Sequence, residues 1–395
     1  MKLRVVFRGE LLEVGPRPPR AARIAIEGRN HPDTLAQVLG SLEAGGEVAL
    51  LSTRLTERER RAQLAQISGS AKASEAATLL FTSGTTGAPK AAVLTLENHL
   101  ASARAANQTL GIDASSRLVC ALPLFHVGGL ALAFRCLESG ATLHLHERFD
   151  AQAVVRDLQQ GATHVSFVAA TLARVIDICQ RFPPAIAVVG GGPAPKSLLD
   201  RARRAGLRVV QTWGMTETAS MATCERPDDA DGTTAGPPLP GFELQLDSGE
   251  IRVRGPALMR GYLGQSRQEG WLCTGDLGEL DARGRLKVHA RRTDLIVSGG
   301  ENVYPAEVEA ALLEHPRVWE AAVLPAADER WGQVGVAWLA TTAAESELRA
   351  FLRERIAAYN IPARFIALAE LPRNAAGKID RLSLLARRPP FPAAP

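Results

Sequence analysis

The run Leu79-Leu80-Phe81-Thr82-Ser83-Gly84-Thr85-Thr86-Gly87-Ala88-Pro89-Lys90 decides how the chain is read. It starts as an apolar strand and breaks into a turn that carries two glycines and four hydroxyls before a lysine. Glycines let the backbone approach an anion, and consecutive N–H groups form a nest for phosphate oxygens. The hydroxyls add neutral donors and Lys90 adds a point charge. The lysine is informative because the 46 basic residues include only six lysines: Lys2, Lys72, Lys90, Lys196, Lys287 and Lys378. The run is not the P-loop pattern, which needs G-x-x-x-x-G-K-[ST], since the lysine here follows Ala-Pro. A plain turn between two strands would not need this chemistry, so the segment reads as a phosphate-handling loop.

Around this run, residues 1 to about 220 alternate strand and helix signals. RIAIEG (23–28), EVALLS (47–52) and ATLLFTS (77–83) read as strands, as do RLVCALP, ATLHLH, HVSFVAA, AIAVVGG and LRVVQTWG further on. HPDTLAQVLGSLEAG, TERERRAQLAQ and LLDRARRAG read as helices between them. Such alternation predicts α/β architecture, with parallel sheets covered by helices. From about 230 to 292 short alternating strands (FELQLD, EIRVRG, RLKVHA) and Gly/Pro turns predict a small β-rich subdomain. After Asp294 a compact α+β unit follows, with a helix opened by Pro305, strands WEAAVLP, QVGVAWLAT and RFIALAEL, and a helix SELRAFLRERIAAYN. The expected domains are 1–292 and 293–395. The length of 395 residues agrees with two bodies, because single cores stop growing near ~250–300 residues.

Hydrophobic residues make up 46% and charged residues 22%, which excludes a disordered or fibrous chain. No run reaches the ~18 apolar residues that a membrane span demands. Arg4, Arg8 and Glu10 interrupt the first stretch where a signal peptide would be apolar. The net charge of +4 comes without a basic block, so nucleic acid is not indicated, although the weak positive bias would suit a polyanionic small substrate. Five scattered cysteines, never spaced C-x-x-C, predict neither a disulfide framework nor a zinc site and point to the cytoplasm.

Further segments have weaker chemistry when taken alone. In Gln211-Thr212-Trp213-Gly214-Met215-Thr216-Glu217-Thr218 the tryptophan could stack on a base, and Glu217 could hold a hard cation such as Mg2+. The plainer alternative is a core tryptophan and a helix-capping glutamate. Gly190-Gly191-Gly192-Pro193 could lie against a flat ligand, yet it lacks the dinucleotide fingerprint G-x-G-x-x-G. Asp276 could accept hydrogen bonds from a ribose diol and Arg291 could grip ribose or phosphate, against a turn aspartate and a surface arginine. Lys378 follows a glycine in a C-terminal loop, where a solvated lysine is the ordinary reading. His126, in PLFHVGGL, is isolated among apolar residues. No Ser/His/Asp triad and no transition-metal cluster is evident.

Taken together and in order, TSGTTGAPK, PLFHVGG, GGGPAP, WGMTET, TGD, ARRTDLIVSGGENVYP and NAAGK resemble the adenylate-forming enzymes, the group of acyl-CoA synthetases and peptide-synthetase adenylation domains, from about residue 23 to 384. The resemblance implies a large N-terminal domain, a small mobile C-terminal domain and an acid–CoA ligase that uses ATP, Mg2+ and coenzyme A. It assigns Thr82, Ser83, Gly84, Thr85, Thr86, Gly87 and Lys90 to the ATP phosphate loop, Thr86 among the catalytic groups. Gly191, Gly192, Trp213, Gly214 and Thr216 would border the nucleotide, with Asp276 and Arg291 on the ribose. Glu217 would bind the metal, and Lys378 would bridge carboxylate and phosphate. Thr293 would be the hinge about which the C-terminal domain turns between the two half-reactions.

Finer details, including HVSFVAATLARVID, WGMTETAS and SGGENVYPAEVE, are similar to the 2-succinylbenzoate–CoA ligase branch. That branch would place His126, Gly128, Ser166, Thr171 and Ser220 around the acyl group and allow a homodimer. The chain departs from the family in an early glycine-rich loop, which implies an abbreviated N-terminal subdomain, and in Trp213, Ala290 and Thr293. The rival readings are another aryl- or medium-chain acyl-CoA ligase, an acyl-AMP ligase that loads a carrier protein, and a non-catalytic nucleotide-binding remnant.

Overall fold

In the computed structural model the residues described are 1–19, 21–71, 75–82, 90–291, 294–298, 301–328, 331–374 and 378–387. The chain opens on a hairpin, β1 (Leu3–Phe7) and β2 (Glu10–Val14), turned through Arg8 and Gly9, both at positive φ. Then come β3 (Arg23–Glu27), β4 (Glu47–Leu51), β5 (Ala77–Thr82) and β6 (Lys90–Thr95). These are followed by β7 (Arg117–Cys120), β8 (Thr142–Leu145), β9 (His164–Phe167), β10 (Ile186–Val189), β11 (Arg208–Met215) and β12 (Ser220–Cys224). The β-rich stretch holds β13 (Glu243–Asp247), β14 (Glu250–Arg254), β15 (Gly261–Tyr262), β16 (Leu272–Leu280) and β17 (Leu286–Arg291). The last strands are β18 (Ile296–Ser298), β19 (Glu301–Val303), β20 (Val318–Asp328), β21 (Gly332–Thr341) and β22 (Arg364–Leu368).

Four sheets result. The largest runs β12-β11-β10-β9-β7-β8-β1-β2; its interior pairs are parallel, and antiparallel pairs close both ends. A second runs β15-β6-β5-β4-β3, parallel from β3 to β5 and antiparallel beyond. The third, β13-β14-β16-β17, is the β-rich part. In the fourth, β19-β18-β21-β20, β21 also pairs with β22. The α/β expectation holds, with the correction that the two large sheets are mixed. β6 must return antiparallel because only seven residues separate Thr82 from Lys90, too few for the crossover a parallel pair needs.

By contact the chain divides into two compact units, Met1–Thr274 with Gly278–Val288, and Gly275–Leu277 with His289–Pro395. In the first unit one apolar cluster joins the hairpin (Leu3, Val5, Phe7), the helix Val127–Ser139 (Leu130, Phe134) and β12 (Met221, Cys224). β4 is buried at every position, as a strand covered on both faces should be. In the second unit Val323, Ala337, Leu339 and Leu352 form the core between the long hairpin β20–β21 and the helix Glu345–Arg353.

Candidate active site

Parallel strands with their carboxyl ends aligned leave a crevice where ligands bind. Here β9, β10 and β11 run side by side, with Val189 opposite both Phe167 and Gln211. The chain just past those partners is Val168, the glycines 190–192, and Thr212 to Met215. A Cβ on Gly190 would lie 2.7 Å from Thr212 Cγ2, and one on Gly214 would lie 1.9 Å from the Ser220 carbonyl oxygen. Gly214 is therefore required by the close return of β12 onto β11, at a register shift between Trp213 and Gly214.

The turn between these strands is a short 3-10 segment, Thr216–Thr218. Its centre is the fully buried Thr218, whose hydroxyl donates to Ser220 O (2.7 Å) and accepts from Met215 N (2.9 Å). Ala219 (φ 52°) and Ser220 (φ 114°) follow in a backbone region that L-residues rarely adopt. Strain of this kind is held only where the surroundings over-determine it. The Ser102 hydroxyl does so here by donating to Ala219 O at 2.9 Å.

This turn presents Glu217. Its Oε1 accepts a 2.6 Å hydrogen bond from the Tyr262 hydroxyl, and its backbone carbonyl accepts from Met259 N at 2.8 Å. Lys90 opens β6, and its ammonium sits 5.2 Å from the centre of the Tyr262 ring. Thr82 ends β5 opposite Lys90 and donates its hydroxyl to the Lys90 carbonyl at 3.3 Å. The structure thus brings Lys90 and Glu217 to one tyrosine, with Thr82 beside Lys90. Tyr262 had no place in the sequence reading. Ser83, Gly84, Thr85, Thr86 and Gly87 lie outside the described residues, as does Thr293.

Trp213 is 7% exposed and belongs to the core cluster with Val210 and Met221, so its burial is that of a core residue. Gly191 (φ 77°) and Gly192 sit past β10, and Thr216 is half-buried beside Glu217. Asp276 is buried on β16, and Arg291 ends β17 with its side chain outside the described residues. In the second unit Lys378 is exposed; Asn374 N donates to Lys378 O (2.8 Å) and Lys378 N donates to Asn374 Oδ1 (3.1 Å). Arg381 pins the following helix (Arg381–Ala386) by donating to Val323 O (3.0 Å) and Glu309 Oε1 (2.6 Å). The base of that lysine is therefore fixed.

Of the acyl candidates, His126 caps the helix Val127–Ser139 without a side-chain bond to its backbone, and Gly128 lies in that helix's first turn. Ser166 is buried on β9. Thr171 is committed locally, since its hydroxyl donates to Val168 O (2.9 Å) and accepts from Val168 N (3.1 Å). The Ser220 hydroxyl accepts from a guanidinium nitrogen of Arg135 at 3.3 Å.

Arg135 was also missed in the sequence, although a lone charge in LALAFRCL was its signal. It is 2% exposed, and its Nε lacks a hydrogen-bond partner. Burial lowers its pKa to about 10, so it stays charged at neutral pH. Three thiols, Cys120, Cys136 and Cys224, surround it electrostatically. Burial raises all three, Cys120 and Cys224 to about 12, so they are neutral and supply no counter-charge. Among the described residues no carboxylate pairs with Arg135.

The donors around Glu217 suit a hard divalent cation. The described residues hold no group of three His, Cys, Asp or Glu side chains able to cage a metal. One carboxylate with water and phosphate oxygens making up the rest is the arrangement magnesium prefers.

Residues 66–263 match the AMP-binding enzyme family and residues 307–378 its C-terminal domain. The chain belongs to the AMP-binding enzymes. Among similar relatives is the 2-succinylbenzoate–CoA ligase of Bacillus licheniformis, 42% identical over 78% of this chain and 70% of its own length. That of Bacillus subtilis is 43% identical, over 78% of this chain and 68% of its own length. Among solved structures, the o-succinylbenzoate CoA synthetase of Bacillus subtilis in complex with the acyl-adenylate intermediate OSB-AMP superposes with a TM-score of 0.88 at 33% identity, over 98% of this chain and 96% of that one. The same enzyme in complex with ATP and magnesium ion gives a TM-score of 0.85 at 33% identity, over 97% and 96%.

Proposed function

We propose that the chain is an ATP-dependent acid–CoA ligase whose acid is 2-succinylbenzoate. Arg135 carries the substrate assignment. A buried guanidinium without a counter-ion is costly, and a bound carboxylate would offset that cost. 2-Succinylbenzoate has two carboxylates, one to be activated and one left over. A fatty acid or plain benzoate has nothing to offer Arg135. The named relatives support the same choice.

In the first half-reaction the activated carboxylate attacks the α-phosphorus of ATP and pyrophosphate leaves. No general base is needed, because the acid is ionised at pH 7. Repulsion between anions is the barrier, and preorganised positive charge answers it. Lys90 serves the phosphates, Glu217 would hold magnesium, and Lys378 would serve the reacting carboxylate. Bound magnesium would add positive charge on the phosphate oxygens. In the second half-reaction the CoA thiol attacks the acyl-adenylate and AMP departs, so the protein's task is positioning. Asp276 and Arg291 are assigned the ribose, and Thr293 the hinge. The five cysteines are free, which supports a reducing cytoplasm as the working compartment.

The test is thioester formation with ATP, magnesium and CoA across 2-succinylbenzoate, simple benzoates and fatty acids. Turnover confined to the dicarboxylate supports the reading. Equal turnover of benzoate removes the role of Arg135, and acyl transfer from the adenylate to a carrier protein but not to CoA, with AMP released, removes coenzyme A as the acceptor.

A further inference from the structure

Two opposite charges contact the same tyrosine. The Tyr262 hydroxyl is 2.6 Å from Glu217 Oε1, and Lys90 Nζ is 5.2 Å from its ring centre. The backbone fixes this tyrosine from both sides. Gly261 and Tyr262 pair with Val93 and Ala92 of β6, while Arg260 N and Leu263 N donate to Val93 O and Ala91 O at 2.8 Å each. Met259 N holds the Glu217 carbonyl. Gly261 has φ 137°, and a Cβ there would lie 2.6 Å from Ser266 O, so only glycine delivers Tyr262 to this place.

We propose that Tyr262 is a positioning residue that keeps Lys90 and Glu217 from neutralising each other, reserving the ammonium for phosphate oxygens and the carboxylate for magnesium. The inference rests on the function proposed above. The hydroxyl donates to one carboxylate oxygen and leaves the other for a cation. The ring face attracts the ammonium weakly enough to release it. Without the hydroxyl the carboxylate would turn toward the ammonium, since a close ion pair in a partly buried cleft is favourable. Each charge would then be lost to the incoming nucleotide.

The experiment uses the full chain. ATP binding is titrated across magnesium concentrations by equilibrium competition with a fluorescent nucleotide, in wild type, Tyr262→Phe, Glu217→Gln and the double variant. Tyr262→Phe should weaken magnesium-dependent ATP binding about tenfold, equivalent to about 1.4 kcal/mol. The KM for the acid and the melting temperature should stay as in wild type, which a merely structural loss would not allow. The double variant should be no weaker than Glu217→Gln alone, because the hydroxyl acts through that carboxylate. Unchanged binding in Tyr262→Phe, or additive losses in the double variant, overturns the proposal. Unchanged magnesium dependence in Glu217→Gln would instead refute the metal assignment, and Tyr262's role with it.

Discussion

Replacing Arg135 with methionine should make the protein more stable and less able to bind its acid. Burial lowers the Arg135 pKa to about 10, and a fall of that size from the ordinary guanidinium value corresponds to about 3 kcal/mol. The sign follows from linkage. A base whose folded pKa is depressed destabilises the fold fully below the folded value and ceases to do so above the unfolded one. At pH 7 the whole penalty is present. Methionine has a similar length and no charge, so most of that penalty should be recovered, less the mismatch around Cys120, Cys136 and Ser220. Scanning calorimetry should show a melting temperature higher by on the order of 5 °C. Losing a buried partner to a carboxylate costs about 3–5 kcal/mol. The KM for 2-succinylbenzoate should therefore rise by at least about a hundredfold, while the KM for ATP stays put. A methionine variant that is destabilised and equally impaired with ATP would show that Arg135 is a structural residue, and the substrate argument would fall.

Two further predictions concern other groups. Lys378→Ala should abolish acyl-adenylate formation and spare thioester formation from a supplied adenylate; equal loss in both half-reactions would deny the lysine its assigned step. His99 is buried, bonded through Nε2 to the Thr78 hydroxyl at 2.8 Å and stacked on Phe134, and burial lowers its pKa to about 3. The unfolded chain takes up this proton below pH ~6.5. The folded chain does not until near pH 3, so stability falls as pH drops through that window. Between pH 7.5 and 5 the His99 contribution is about 2 kcal/mol, and urea denaturation of His99→Asn should show a correspondingly flatter pH dependence.

In the two large sheets β3, β4, β5 and β7 to β11 were legible as apolar, β-branched runs. The opening hairpin was overlooked, although Leu3, Val5 and Phe7 alternate as a half-buried strand should. β16 was read only as a loop motif, because Thr274-Gly275-Asp276 looks like a turn in isolation. The helix Arg381–Ala386 is too short for its period to show. Linear motifs pointed to Lys90 and Glu217 at strand ends and to Lys378 in a C-terminal loop. Tyr262 and Arg135 did not emerge, since their meaning depends on partners 45 and 85 residues away. A sequence shows charge and hydroxyl at a position but not which of them meet.

Exchange of labelled pyrophosphate into ATP, with 2-succinylbenzoate present and CoA left out, tests the account most directly. The account predicts exchange that needs both the acid and magnesium and is negligible with benzoate. Exchange without any acid, or none with 2-succinylbenzoate, would contradict it.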